Sequence, residues 1–320
     1  MQQEFIFDHA PFPACHAATL ADCGPQGLVA AWFGGKEEGA ADVAIWLSQR
    51  KNGRWSPARK VAAAPDVPCW NPVLHVARGG TLLLFYKAGS SPQTWTGFLQ
   101  RSQDAGATWS MPEQLPAGIL GPIKNKPFEL ADGTLVCGTS VESYRAWGCW
   151  VERTSDLGIT WSKHGPVNLP GHLYGSIQPA IFGTADGRLA MLCRTRDVHR
   201  IVRSTSGDGG KTWTPLAETN LPQNNSGLDA TRLTDGRVVL AYNHTAAGRS
   251  PLNLGISNDL GATWIPGPVL EADPGEYSYP AVIQGKDGMV HVAYTWNRKR
   301  IRYASLRPDE LPQPKTLGKR

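Results

Sequence analysis

Six cysteines in 320 residues form no Cys-x-x-Cys pair and no zinc-binding spacing. Cys137 and Cys193 lie inside apolar, strand-like runs, where a cysteine is usually a small buried hydrophobe, so reduced thiols are expected. No apolar run approaches the roughly 18 residues of a membrane span, so no membrane partner is expected. The opening stretch MQQEFIFDHAPFP has neither the basic nor the apolar region of a secretory signal. A cytoplasmic location is therefore expected. The net charge is only +5, with Lys and Arg scattered until the short Asn297 to Arg302 run, which leaves no footprint for nucleic acid. Glycine motifs for nucleotides are missing, so no cofactor is expected. No long 3.6-residue apolar period appears, which argues against a helical protein.

What the chain does have is repetition. Ser102 to Trp109 reads SQDAGATW, Thr154 to Trp161 TSDLGITW, Ser206 to Trp213 SGDGGKTW and Ser257 to Trp264 SNDLGATW. The closing tryptophans are 52, 52 and 51 residues apart, and a degenerate copy ends at Trp55, 54 residues before the first. A fixed period of this size marks a repeat architecture, and six units fill the chain. Between the phrases, short apolar runs flank Asp-Gly turns, as in ATRLTDGRVVLAYN from Ala230 and PAVIQGKDGMVHVAYT from Pro280, the pattern of a hairpin. Two strands precede each phrase, a third leads into it and a fourth follows. Four strands in six units predict an all-β fold, a six-bladed β-propeller with four-stranded antiparallel blades, over residues 1–310 with a tail at 311–320.

In each phrase Asp suits turn backbone, Gly suits positive φ and Trp suits packing between blades. The phrase is therefore scaffolding, and a metal site is not expected because each turn offers one carboxylate. Chemistry belongs on the opposite face. Aligned on their turns, the units place His16, Asn71, Lys126, Gln178, Asp229 and Tyr279 at the start of the innermost strand. The second strands end at Gly34, Lys87, Ser140, Arg194, Asn243 and Thr295, and the following loops carry Glu37, Glu38, Asp42, Glu142, His244, Arg249 and Arg298. Cations, a tyrosine, a histidine and carboxylates at one mouth suit an anionic, hydroxyl-rich ligand such as a sugar acid.

The four phrases resemble the Asp-boxes (Ser-x-Asp-x-Gly-x-Thr-Trp) of the sialidase superfamily, and the resemblance covers nearly the whole chain. It implies a tyrosine nucleophile, matched by Tyr279 eight residues before Asp287, with Tyr277 as the other register. It implies an arginine triad for the substrate carboxylate, of which Arg194 and Arg249 resemble two members. It also implies an acid/base carboxylate, offered by Glu37, Glu38 or Asp42. Two positions depart from the pattern. His16 stands about where the first arginine is expected, and Gln178 stands where a glutamate would activate the tyrosine. Glutamine cannot take a phenolic proton, and a tyrosine with an ordinary pKa of about 10 needs such help, from Glu142 or Glu276 or by another mechanism.

The expectation is an exo-acting glycoside hydrolase on an acidic sugar. Arg194 and Arg249, with Lys126 or Lys87, anchor the carboxylate; Glu37 or Glu38, with Glu142 in competition, donates the proton; Tyr279 attacks or stabilises the anomeric centre. His16, Asn71, Gln178, Asp229, Asn243 and His244 complete the binding set. A uronate lyase using Tyr279 with a histidine, and a carbohydrate-binding propeller without catalysis, fit the same residues. The sugar, the linkage and the oligomeric state are left open.

Overall fold

The computed structural model describes residues 1–172, 175–183 and 188–313. The predicted Asp186-Gly187 turn and the tail from residue 314 lie outside them. Six antiparallel sheets follow one another along the chain and form the six blades of a β-propeller. Their innermost strands are Ala14–Asp22, Cys69–Val76, Phe128–Glu129, Ser176–Gly183, Asp229–Arg232 and Tyr277–Gln284. Blade one departs slightly, because its outer edge is split into Arg54–Trp55 and Arg59–Ala62, both paired with Ala44–Lys51. Among the described residues no helix is long and apolar enough to cross a membrane.

The long apolar runs follow from the architecture. Both faces of a blade are covered by neighbouring blades, so consecutive residues of a strand are buried on opposite sides. In the LLLFY stretch of blade two, Leu82, Leu84 and Tyr86 join blade one's Val29, Ile45 and Leu47. Leu83 and Phe85 between them join blade three's Leu135 and Cys137. The same division recurs around the ring, with a hydrophobic cluster at each of the six blade interfaces.

The repeated phrases are local braces. Asp104 accepts from the Thr108 amide and hydroxyl at 2.8 and 2.6 Å, and Ser102 Oγ donates to it at 2.7 Å. Ser102 Oγ in turn accepts from the Gly106 amide at 2.8 Å. Those bonds, the Thr108 hydroxyl and amide foremost, hold the Asp104 carboxyl down to about 2. The brace is also a joint. Arg101 of blade two donates to the Leu157 carbonyl in the next blade's phrase, and Arg203 of blade four does the same to Leu260. Trp161 meets Phe85 of the preceding blade edge-on at 6.2 Å.

The ring closes where the sequence pattern does not suggest it. Every unit is expected to supply its own fourth strand, yet the outer strand of blade six is the N-terminal Gln2–Phe5, paired antiparallel with Arg302 to Ser305. Downstream, Phe7 stacks on Trp32 at 5.1 Å and meets Phe12 at 5.6 Å in the blade six to blade one core. At the other end Leu311 is buried against blades five and six, and Arg237 donates to its carbonyl. Phe7→Ala should cost about 3 kcal/mol, measured as a lower urea midpoint with unchanged m. An unmoved midpoint would show that the N-terminal segment does not help close the ring.

Candidate active site

Strand register identifies the residues that face the propeller axis. The last pairs of the six inner hairpins are Asp22 with Leu28, Val76 with Leu82, Glu129 with Leu135, Gly183 with Leu189, Arg232 with Val238, and Gln284 with Val290. Five residues before each inner partner stand Ala17, Asn71, Lys124, Gln178, Gly227 and Tyr279. The sequence alignment is therefore corrected in three blades. His16 is one residue early, while Lys126 and Asp229 are two residues late: the inner strands of blades three and five are short, Phe128–Glu129 and Asp229–Arg232, so the axial Lys124 and Gly227 stand ahead of the strand itself.

Four of the six positions carry a local distortion. Pairing skips two residues after His16, Trp70, Ile177 and Ser278. Ala17, Asn71, Gln178 and Tyr279 then adopt φ of 60°, 35°, 58° and 52°. A bulge re-aims the side chain at the cost of backbone strain, and here it delivers Tyr279 to the axis. Tyr277, the other register, is buried in the core between blades five and six.

Tyr279 is surrounded by cations. Arg194 Nη1 donates to its Oη at 2.7 Å and Gln178 Nε2 at 3.2 Å. Arg194 is fixed by Nε donating to Asn225 Oδ1 at 2.7 Å and by Nη1 lying 3.3 Å from Gln178 Oε1. Its guanidinium lies 5.7 Å from the Trp147 ring and 5.8 Å from that of Tyr279. The Arg249 guanidinium and Lys124 Nζ are each 5.8 Å from the tyrosine ring centroid. Lys124 Nζ is buried, donating to Asn125 Oδ1 at 3.0 Å, to the Leu228 carbonyl at 3.1 Å and to the Pro280 carbonyl. Burial, opposed by Asp229 but helped by Lys126 and Arg194, pulls its ammonium down to about 7.

His16 lies against the same ring, centroid to centroid at 4.1 Å. Its Nδ1 is 2.9 Å from Thr295 Oγ1, and its Nε2 is buried with no protein partner. Burial first, then Arg298, Arg249, Arg194 and Lys124, push its pKa well below the ordinary value, so the imidazole is neutral. Beside it opens a cavity of about 270 Å³ lined by His16, Phe33, Glu37, Glu38, Glu276 and Arg298, among others. Glu276 accepts from Arg249 Nη1 at 2.9 Å, from Ser278 Oγ at 3.4 Å and from Arg298 Nε. Arg298 Nη1 also pairs with Glu38.

The BNR repeat-like domain matches residues 26–292 of this chain. The chain belongs to the BNR repeat-like domain family. A Dyadobacter fermentans protein of unknown function is similar at 20% identity, with 95% of this chain and 97% of that one covered and a TM-score of 0.80. The Hadza microbial sialidase Hz136 is similar at 19% identity, with 93% and 66% covered and a TM-score of 0.78. The intramolecular trans-sialidase from Ruminococcus gnavus is similar at 13% identity, with 97% and 98% covered and a TM-score of 0.78. At these identities the likeness is one of fold. No curated protein matches the sequence.

Set on this propeller, the predicted residues separate into two groups. Tyr279, Arg194, Gln178, His16 and Arg249 converge, and Glu37 and Glu38 line the adjoining cavity. Glu142 stands apart in a groove of about 240 Å³ with Trp95, Gln114 and Lys163; burial, partly offset by Arg194, raises its carboxyl. Neither Glu142 nor Glu276 is hydrogen-bonded to Tyr279.

The others make no contact with Tyr279, and several brace the scaffold. Lys87 is fully buried and donates to the Pro122 carbonyl, which removes it from the mouth. Lys126 pairs with Asp229 at 2.9 Å, and Asp229 also accepts from the Val282 amide at 2.8 Å, so both are internal braces. Asn243 Nδ2 donates to the carbonyls of Arg249, Pro251 and Tyr277, which shapes the loop carrying Arg249. Exposed His244 bonds to the Tyr242 hydroxyl, Asp42 accepts from the Lys36 amide at 3.0 Å, and Asn71 is buried at its axial position. Sequence reasoning missed Lys124 and Trp147. Lys124 was accessible to it, standing eight residues before Asp132 just as Gln178 precedes Asp186 and Tyr279 precedes Asp287.

Lys124 makes a prediction whose sign is fixed. Burial pulls its ammonium down to about 7 in the folded chain, below the ordinary lysine value of about 10.4, so between those values the unfolded chain holds the extra proton and stability rises with pH. Wild type should therefore gain on Lys124→Met between about pH 7 and about pH 9, by at most about 1.4 kcal/mol per pH unit. Parallel urea-unfolding stabilities at the two pH values would mean that Lys124 is not depressed.

Proposed function

We propose that this chain is an exo-acting glycoside hydrolase of sialidase type, with an acidic sugar as the glycone. The observation that carries the reading is Tyr279 at the axis, its Oη receiving N–H bonds from Arg194 and Gln178, with Arg249 over its ring and a carboxylate-lined cavity alongside. The sugar's carboxylate is drawn to the guanidiniums of Arg194 and Arg249, which places the anomeric carbon near Tyr279. The tyrosine attacks that carbon as a phenolate held by the N–H donors of Arg194 and Gln178, its proton having passed to water beforehand; the bond to the leaving oxygen breaks, and Glu37 or Glu38 gives that oxygen its proton. Water then releases the sugar from tyrosine and returns a proton to the glutamate. Gln178 serves as a donor in place of a base, so Arg194 has the larger electrostatic share.

A uronate lyase is the second reading. It is favoured by neutral His16, whose Nε2 has no protein partner beside Tyr279. Lyase products are unsaturated and absorb in the ultraviolet, which separates the two chemistries in one assay.

The test is turnover of chromogenic glycosides of sialic acid, other keto-sugar acids, uronic acids and neutral sugars, with ultraviolet detection. Acid-specific release should fall at least about 100-fold in Tyr279→Phe, chiefly in kcat. Loss of the true proton donor, Glu37→Gln or Glu38→Gln, should cost about 10²- to 10⁴-fold. Oseltamivir carboxylate, present in the Ruminococcus gnavus structure, is the competitor to try first. Turnover of neutral sugars alone would reject the acidic glycone, and silence on every substrate would reject the hydrolase.

A further inference from the structure

Arg298 stands at the tip of the second hairpin of blade six, in a turn where Asn297 and Arg298 have φ of 50° and 57°. Its carbonyl accepts from the Cys15 amide at 2.8 Å, which ties the tip to blade one beside His16. The guanidinium is shared between two carboxylates, Nε with Glu276 and Nη1 with Glu38. The two are not equivalent. Glu276 has three donors, namely Arg249, Ser278 and Arg298, and belongs to the fixed wall of the site. Glu38 rides on the exposed loop of blade one and has Arg298 as its hydrogen-bond partner. The pair spans 260 residues and bridges the blade six to blade one seam over the cavity.

We propose that Arg298 is an anion-binding residue of this site and that its pair with Glu38 is an exchangeable latch, displaced by the substrate's carboxylate. The inference rests on the sugar-acid reading above. Glu38 and the ligand are both carboxylates competing for one guanidinium edge. Glu38 is 41% exposed and Arg298 30%, and an ion pair so open to solvent holds weakly. An arriving carboxylate can take two parallel bonds from an arginine fork, whereas Glu38 occupies one nitrogen. Arg194 has already committed Nε and Nη1 to Asn225, Tyr279 and Gln178, and Arg249 Nη1 is committed to Glu276 and Ser278. Arg298 can thus join Arg194 and Arg249 on the carboxylate by exchanging its Glu38 contact, which is more open to solvent than the Arg249 to Glu276 pair. Its displacement returns Glu38 to the cavity it shares with Glu37.

Competition gives an unusual expectation, that deleting a carboxylate at the site tightens binding of an acid. Calorimetric titrations with N-acetylneuraminic acid and glucuronic acid, and with their methyl esters, read it directly. Glu38→Gln should bind the better acid more tightly, by a few-fold up to about fivefold. Arg298→Gln should weaken it by about tenfold or more, and neither variant should alter ester binding. Arg298→Lys, which keeps the charge but loses the fork, should fall between wild type and Arg298→Gln. Unchanged or weaker acid binding in Glu38→Gln, equal losses for acid and ester, or no binding of either acid by wild type would overturn the latch. The turnover screen is scored separately: acid binding with this pattern but no turnover would sink the hydrolase and leave the latch, while acid-specific turnover without the pattern would do the reverse.

Discussion

Burial of both faces of every blade is the constraint on which the structure depends. A blade of this propeller has no solvent side, so its strands are apolar at successive positions, as in Leu82 to Tyr86, and stability resides in six interfaces rather than in one core. A closed ring of such interfaces leaves polar residues two places to go, the outer rim and the axis. The rim takes the Asp phrases, whose hydrogen bonds are made almost wholly within each turn. The axis takes the side chains that inter-blade packing rejects. Chemistry is concentrated there because all six blades bring polar residues to one mouth, whereas charges buried elsewhere, such as Lys87 and Glu152, are tied up by scaffold partners.

Gathering Arg194, Arg249, Arg298 and Lys124 around Tyr279 and His16 raises the opposite problem of repulsion. Three devices answer it. Glu276 accepts from two of the arginines through one carboxylate. Backbone carbonyls of Leu228 and Pro280 take Lys124, whose depressed pKa lets it shed its charge near neutrality. His16 stays neutral among all four, so it adds a polar edge without adding charge. A permanently charged residue in its place would meet a field that already favours the uncharged form.

The scaffold was legible in the sequence because its signals are local. A turn of Asp, Gly and Thr bonds to itself, and its period counts the blades. The site was legible only where one chain position maps rigidly onto a turn, as for Gln178 and Tyr279, both eight residues before an Asp. Blades three and five have no prolines at the equivalent position, so Lys126 and Asp229 drew attention although they form an internal pair. Ring closure was illegible for a different reason. Gln2–Phe5 carries four residues of weak pattern, and its partner strand lies about 300 residues away, a separation that periodicity does not register. Likewise the Arg298 to Glu38 pair joins two loops that come together only when the ring is complete.

Six equivalent positions would make a symmetric pore if they were alike, and their differences make it a site. Blade six contributes the bulkiest residue, Tyr279, and its neighbours contribute the smallest, Gly227 from blade five and Ala17 from blade one. A Cβ on Gly227 would stand 3.1 Å from the tyrosine ring and 3.3 Å from Lys124 Cε, closer than ordinary contacts allow. Long residues come from the far side, Lys124 from blade three opposite and Gln178 from blade four, and both cross the axis to reach blade six. The tyrosine is thereby fixed by residues that differ from one another at a position the fold treats as the same. Asymmetry of this kind contributes little to closing the ring, since the six interfaces form without it. Its physical consequence is to hold one phenol, two arginines and a neutral imidazole in a single orientation, the preorganisation on which the proposed recognition of an acidic sugar rests.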